Sequence, residues 1–302
     1  AYNRNAGYGH DMSHIDHYAV DFCRMENMER HIIASQLAQT TALRPTAEQA
    51  RCLWPRSVGI CYYKLTNCVP AASYDVIDWY GVPKITHYFL ADAYAPLHGC
   101  VIVDSYNPMG KEVKAQVYIL DDANELNGSK WSVSVKAFDC NLGVVKEQSY
   151  VGSNSIEKVK QLGEFALSVE QTQSTPLLIV VQTHCNKKLI DHTFYWLNYK
   201  AKPGCLMELP ATKLEVKVVS KGCEPDKGLP YAVMITNKGN KSAVGTHFNC
   251  PKISDTFRTR DNYFWLEPGE SKTVAVSHVE NVSVSAWNAE EVTWNSTGIS
   301  LH

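Results

Sequence analysis

Three histidines, His10, His14 and His17, lie near the start of the sequence at spacings of four and three, with Asp11 and Asp16 beside them. On a helix the three imidazoles share one face and could hold zinc, with a water in the fourth position. A chain with 11 histidines produces such a cluster by chance, and a polar helix start uses the same residue types. We therefore expect no metal and keep His10, His14 and His17 as weak candidates. Paired carboxylates are the second chemistry to look for. Glu26 and Glu29 sit at i and i+3 of a helical pattern and read as a solvated face. Asp75 and Asp78 follow an apolar run in a loop. Neither pair has the form of a general acid with its partner. The third feature is Gly59–Pro70, "GICYYKLTNCVP", an apolar run that turns polar at Lys64, Thr66 and Asn67. Such an ending is either turn chemistry or an active site at the carboxyl end of a barrel strand.

The elements around this run fall into three regions. From Phe22 to Leu43, apolar residues recur every three or four positions, an amphipathic helix that Pro45 should end or bend. Thr46 then reads as the cap of a second short helix closed by Pro55. Val58–Leu65 is apolar on both faces, as in a parallel strand covered on each side. A helix around "VPKITHYFLADAYAP" follows. One helix–strand–helix unit cannot build a sheet alone. The region is thus either the end of a larger α/β domain or a segment docked on its neighbours. The second region contains seven short runs, including "VKAQVYIL" and "WSVSVKAF", separated by turn residues. This is the pattern of an immunoglobulin-type antiparallel sandwich. The stretch 201–210 resembles a linker, and the alternation resumes in "KLEVKVVS", "YAVMITN", "YFWLEPGESKTVAVS" and "VSVSAW". The fold class expected is mainly β with an α/β N-terminal segment. The expected domains are 1–96, 97–205 and 206–302, the last two sandwiches.

Composition narrows the class. The chain has 302 residues, 20% charged, with a net charge of −2. No basic patch favours nucleic acid or an anionic membrane. No apolar run approaches the ~20 residues of a spanning helix. Ten cysteines are scattered without a C-x-x-C pair and read as small apolar residues of a reducing compartment. With no signal-like leader at the start, a cytoplasmic location is expected. The sequons at Asn127, Asn240, Asn281 and Asn295 are then read as chance. Trp131 and Trp196, on alternating strands, read as sandwich core, whereas Tyr63, near a strand end, could stack on a sugar.

Residues 57–96 resemble the last strand and helix of the catalytic barrel in family-two glycoside hydrolases of the β-mannosidase type. That family carries G-x-x-x-W-Q-L-N-D-x-W-P, followed by S-W-S-x-x-D-Y-Y-G-x-x-K-x-x-Y-Y. Gly59, Leu65, Pro70, Ser73, Asp78, Tyr80, Gly81, Lys84 and Tyr88 match. "ASQLAQ", residues 34–39, is similar to the family's S-Q-x-x-Q-A helix. "DHTFYWLNYKA" and "DNYFWLEPGESKTVAV" resemble strands of its sandwiches. The chain departs where it matters for a ligand: Tyr63 and Val69 replace tryptophans, Lys64 a glutamine, Thr66 an asparagine and Asn67 an aspartate.

The resemblance implies an incomplete (β/α)8-barrel end at 1–96, followed by two immunoglobulin-like sandwiches. It implies retaining hydrolysis of β-linked sugars by the parent enzyme, without a cofactor. Tyr63, Lys64 and Asn67 would line the sugar site, and the partners would be the carbohydrate and the rest of the parent barrel. Retaining chemistry needs two carboxyl groups about 5–5.5 Å apart. Neither the family's N-E nor its S-E-F-G motif precedes residue 58, and "GEF" at 163–165 sits in a sandwich strand. The chain alone is therefore expected to be inactive. The alternative is a non-catalytic sandwich module that binds carbohydrate or a protein partner. Lys64 fits an anionic substrate or a structural salt bridge.

Overall fold

The structure is a computed structural model that describes residues 13–23, 27–153, 155–172, 176–224, 227–250 and 257–294. Two compact units result: Ala1–Ile77 with Pro83–Cys205, and Asp78–Val82 with Leu206–His302. In the first unit, α1 (Ser13–Ala19), α2 (Met28–Cys52) and α3 (Ile85–Ala93) precede seven strands. These are β1 (Leu97–Val103), β2 (Val113–Asp121), β3 (Trp131–Phe138), β4 (Val144–Gly152), β5 (Lys158–Leu167), β6 (Leu177–Cys185) and β7 (Lys188–Leu197). They form two antiparallel sheets, ordered β1-β2-β5 and β4-β3-β6-β7. Alternation does the sorting. Val113, Ala115, Val117 and Ile119 of β2, with Trp131, Val133, Val135 and Ala137 of β3, fill the core. The edge strand β4 carries Lys146, Glu147 and Gln148, polar residues that discourage further pairing.

The second unit has β8 (Leu214–Glu224), β9 (Leu229–Asn237), β10 (Ala243–Asn249), β11 (Phe264–Leu266), β12 (Ser271–Val276), β13 (Ser283–Ala286) and β14 (Ala289–Thr293). Its sheets run β12-β9-β8 and β11-β10-β13-β14. Raising every strand number of the first sandwich by seven gives the same order, so one topology occurs twice. The sequence patterns missed β10 and β14. Strand β10 shifts register between Ala243 and Thr246 at Gly245, whose φ is +60°. A Cβ at Gly245 would lie 2.5 Å from the Trp287 ring, so the bulge and the close ring both require glycine there. Strand β14, "AEEVT", is short, acidic and at an edge.

The helical segment departs most from expectation. Helix α2 is one helix of 25 residues with Pro45 inside it. Asn27 caps it by accepting from the Arg30 amide at 3.0 Å. Pro45 has no N–H to give the Thr41 carbonyl. Burial on both sides of the proline keeps the helix going: Leu37, Thr40 and Arg44 before it, Ala47, Glu48 and Ala50 after it. Thr46 caps nothing; its hydroxyl donates to the Ala42 carbonyl at 2.8 Å within the helix. Helices α2 and α3 dock on the first sandwich. Phe89 of α3 meets Phe194 and Trp196 of β7 edge-on, at 5.3 and 5.4 Å between ring centres. The Trp196 indole N–H donates to Thr41 Oγ1 at 3.1 Å. The helical region thus packs on the sandwich that follows it.

Candidate functional site

Val58–Leu65, expected as a buried parallel strand, is not a strand. A strand needs at least one ladder partner along its length, and among the described residues no strand of any sheet pairs with it. Thr66 instead makes a single parallel bridge to Ile77. Ile60 and Tyr62 pack against Ala47, Val76, Leu90 and Ala93. The alternate positions face solvent: Cys61 is exposed, Tyr63 is 69% exposed and Leu65 54%, while Val58, in phase with Ile60 and Tyr62, lies before the covered stretch and is 83% exposed. The segment keeps the period of a strand with only one face covered.

The three predicted site residues are brought together, with unequal availability. The Lys64 ammonium donates to Asn67 Oδ1 at 2.7 Å and lies 5.4 Å from the centre of the Tyr63 ring. The Cys68 amide donates to the same Oδ1 at 2.9 Å, and Asn67 Nδ2 donates to the Ala71 carbonyl at 3.2 Å. Asn67 is buried, and its amide shapes the 64–71 turn. Lys64 is held by a neutral amide rather than a carboxylate. Tyr63 is the open member and lines a pocket of about 380 Å³ with Tyr18, Gln36, Gln39, Tyr74 and Lys84.

Helix α2 builds the pocket floor and fixes its rim. Gln39 Nε2 donates to the Tyr74 carbonyl at 2.7 Å and to the Asp75 carbonyl at 3.2 Å. Gln36 Oε1 accepts from the Ile85 amide at 2.8 Å, closing the start of α3, where Lys84 offers no cap. Thr86 joins them, 3.0 Å from Gln39 Oε1 and 2.9 Å from Thr40 Oγ1. Lys84 Nζ lies 3.2 Å from the buried Asp75 carboxylate and donates to the Ser73 carbonyl at 3.0 Å. The pocket thus offers tyrosine rings and neutral amides, with its lysine charge already paired. Such a surface suits stacking and hydrogen bonding to a polar ring; among the described residues it has no pair of carboxylates.

The remaining predicted acids are structural or apart. Asp78 Oδ1 accepts from the Tyr80 and Val82 amides, each at 2.9 Å, and organises the 78–82 turn. Glu29 lies exposed in the first turn of α2, and Glu26 is outside the described residues. Glu164 of "GEF" is exposed on β5, bound by Gln116 Nε2 at 3.1 Å. Of the histidine cluster, His10 is outside the described residues, and His14 and His17 lie on α1. The exposed His17 ring meets Tyr18 edge-on at 5.1 Å. Among the described residues, no metal-binding group of three is found.

The most concentrated charge was missed from sequence. Glu48 Oε1 accepts from Arg44 Nε at 2.9 Å and from the Tyr195 hydroxyl at 2.9 Å, and lies 3.1 Å from His98 Nε2. The other His98 nitrogen is 2.9 Å from Asp191 Oδ2, which also accepts from the Gly99 amide at 2.9 Å. Arg44 continues to Thr193 Oγ1 at 2.8 Å and the Phe194 carbonyl at 2.6 Å, its guanidinium 3.7 Å from the Tyr195 ring centre. Burial alone would discharge His98, but Asp191 and Glu48 outweigh it and push its pKa up to about 9. Burial likewise raises the Glu48 pKa, and Arg44, with His98, outweighs it and leaves the value lowered. Two carboxylates thus face two cations. With Arg44, Glu48 and His98 at 3%, 0% and 0% exposure, no substrate reaches them. The cluster joins α2 to β1 and β7 and is not a catalytic dyad. Arg44 and Glu48 stand at i and i+4, a signal hidden by the expected break at Pro45.

No protein-family profile matches the chain, and no curated protein matches it. Solved structures do share the fold. A structure of the exo-β-D-glucosaminidase CsxA superposes with a TM-score of 0.70 at 15% identity, covering 94% of this chain and 37% of the enzyme. The exo-chitosanase CsxA of Amycolatopsis orientalis gives 0.66 at 15% identity, over 89% and 35%. A β-D-mannosidase from Dictyoglomus thermophilum gives 0.67 at 18% identity, over 91% and 32%. The chain spans about a third of the length of each.

Proposed function

We propose that this chain is the C-terminal part of a retaining β-glycoside hydrolase of the β-mannosidase-like kind. Its residues 1–96 would be the end of the catalytic barrel, and 97–205 and 206–302 its two sandwiches. The observation that carries this reading is the half-covered segment 58–65. Ile60 and Tyr62 are seated on Ala47, Val76, Leu90 and Ala93, while Cys61, Tyr63 and Leu65 present an apolar row to solvent. Barrel strands of the parent would cover that row. The likeness to solved glycosidases over 94% of the chain supports the same reading.

Tyr63 supplies an aromatic face to the sugar, and Lys64 and Asn67 shape the turn behind it. The catalytic acid and nucleophile come from the parent's other barrel strands. The test is hydrolysis of aryl β-mannosides and β-glucosaminides. The 302-residue chain alone is expected to show none. The protein read from the full open reading frame is expected to be active, and Tyr63→Ala in it to raise KM more than it lowers kcat. Turnover by the isolated chain, abolished by a point change within it, would overturn the proposal. Glycan binding by the isolated chain, with an inactive parent, would favour the non-catalytic module instead. The exposed Tyr63 and Tyr74 rings are the feature that supports that second reading.

A further inference from the structure

Cys52, the last residue of α2, places its Sγ 3.8 Å from Sγ of Cys100 on β1. Cys100 is fully buried and Cys52 partly exposed. The two thiols come from elements far apart in sequence that the fold holds firmly together. Next to Cys52, Arg51 bonds to the Ala95 carbonyl at 3.0 Å and to Asp122 Oδ2 at 2.9 Å, which anchors the helix end. On the other side, Cys100 sits in the β1–β2 ladder opposite Tyr118. A disulfide needs about 2.05 Å between the sulfurs, so the two sulfurs, now 3.8 Å apart, have to close by less than about 2 Å.

We propose that Cys52 and Cys100 are a disulfide-forming site, oxidised by thiol–disulfide exchange with a low-molecular-weight disulfide such as oxidised glutathione. The partly exposed Cys52 is the entry point. Its thiolate attacks one sulfur of the small disulfide, a new S–S bond forms, and the first small thiol leaves. Cys100 then gives up its proton, and its sulfur attacks Cys52 Sγ. The mixed disulfide breaks and the second small thiol leaves. Two protein thiols are oxidised, one small disulfide is reduced to two thiols, and both protons end on those thiols. The hydrogen bond to Cys52 and its own burial hold the Cys100 thiol pKa well above the ordinary value, so Cys100 resolves rather than initiates. The loop closed by this bond contains the whole segment Gly59–Pro70, so oxidation would tie the end of α2 that leads into the candidate sugar-binding segment to β1.

The experiment uses the full chain with Cys61→Ser and Cys68→Ser, which removes two exposed competing thiols. The protein is equilibrated in glutathione buffers of rising oxidised fraction, quenched with iodoacetamide and digested without reduction. A linked peptide joining Cys52 to Cys100 is expected, with a midpoint in the glutathione titration, a rise of several degrees in unfolding temperature and full reversal by dithiothreitol. Cys52→Ser, at a partly exposed position that tolerates hydroxyl, should lose both the peptide and the thermal shift while melting like the reduced protein. Both thiols still alkylated at the most oxidising ratio, or Cys52 ending as a stable glutathione adduct, would overturn the proposal.

Discussion

His98 is the residue whose removal tests the internal logic of the first unit most severely. Its imidazole sits between Asp191 at 2.9 Å and Glu48 at 3.1 Å with no exposed surface. Its folded pKa of about 9 lies above the ordinary histidine value of about 6.5. A raised pKa means the folded state holds the proton more tightly. The stabilisation is therefore complete below about pH 6.5 and disappears as pH rises through about 9. At 1.36 kcal/mol per unit, the shift corresponds to about 3 kcal/mol at pH 5.5, about 2 at pH 7.5 and almost nothing at pH 9.5. The lowered pKa of Glu48 acts in a separate window: its contribution is present above about 4.5 and lost as pH falls through the folded value. The assay is urea unfolding at these three pH values, read by hydrogen exchange of β1 and β7 amides, which report the first unit alone. The wild-type chain should lose stability between pH 6.5 and 9. His98→Gln, which leaves Glu48 and Asp191 without their shared cation, should be weaker by at least about 3 kcal/mol at pH 5.5 and flat across that interval. An equal slope in the variant, or none in the wild-type chain, would refute the argument.

The remaining predictions concern the elements that hold the site. Gly99→Ala places a Cβ 2.2 Å from Thr183 Oγ1 and 3.2 Å from Val181 Cγ1. It should cost about 1–3 kcal/mol in thermal unfolding. Gln36→Ala leaves the Ile85 amide without its acceptor and should cost about 1–2 kcal/mol, with faster exchange at the start of α3. Asn67→Ala removes the acceptor shared by Lys64 Nζ and the Cys68 amide. It should speed proteolysis of the 64–71 turn without changing the melting of the second unit. An unchanged cleavage rate would show that the turn does not depend on this amide.

The strands were legible because alternation is a local signal. "WSVSVKAF" coincides with β3, and "VKAQVYIL" falls one residue short of β2. Where the signal was local but interrupted, it misled: Gly245 hid β10, and Pro45 suggested two helices where the chain forms one. The Tyr63–Lys64–Asn67 group was legible as a cluster because its residues adjoin in sequence. The Arg44–Glu48–His98–Asp191 group was not, because its members come from three distant elements and meet only after α2 lies across β1 and β7. His98 in "LHGC" and Asp191 in "LIDHTFYWL" each interrupt an apolar run, which is the one trace they leave. A buried charge placed in a core strand signals a partner somewhere, but only the fold says which.

That network also changes what the helical segment requires. A helix–strand–helix unit on its own exposes too much apolar surface to persist and needs cover from a neighbour to stay folded. The first sandwich supplies part of that cover. Arg44 reaches the Phe194 carbonyl, Thr41 receives the Trp196 indole, and Phe89 packs between Phe194 and Trp196. These contacts account for α2 and α3 and for the inward residues Ile60 and Tyr62, which rest on Ala47, Leu90 and Ala93. They leave Cys61, Tyr63 and Leu65 without cover. Scattered apolar residues on a surface need no explanation, but a row at strand period along one extended segment does. The ordered helices therefore say nothing about a barrel, and the uncovered row is what a barrel would explain. Supplying the barrel of the proposed parent in trans should bury that row, and loss of protease sensitivity at 58–65 would report it directly.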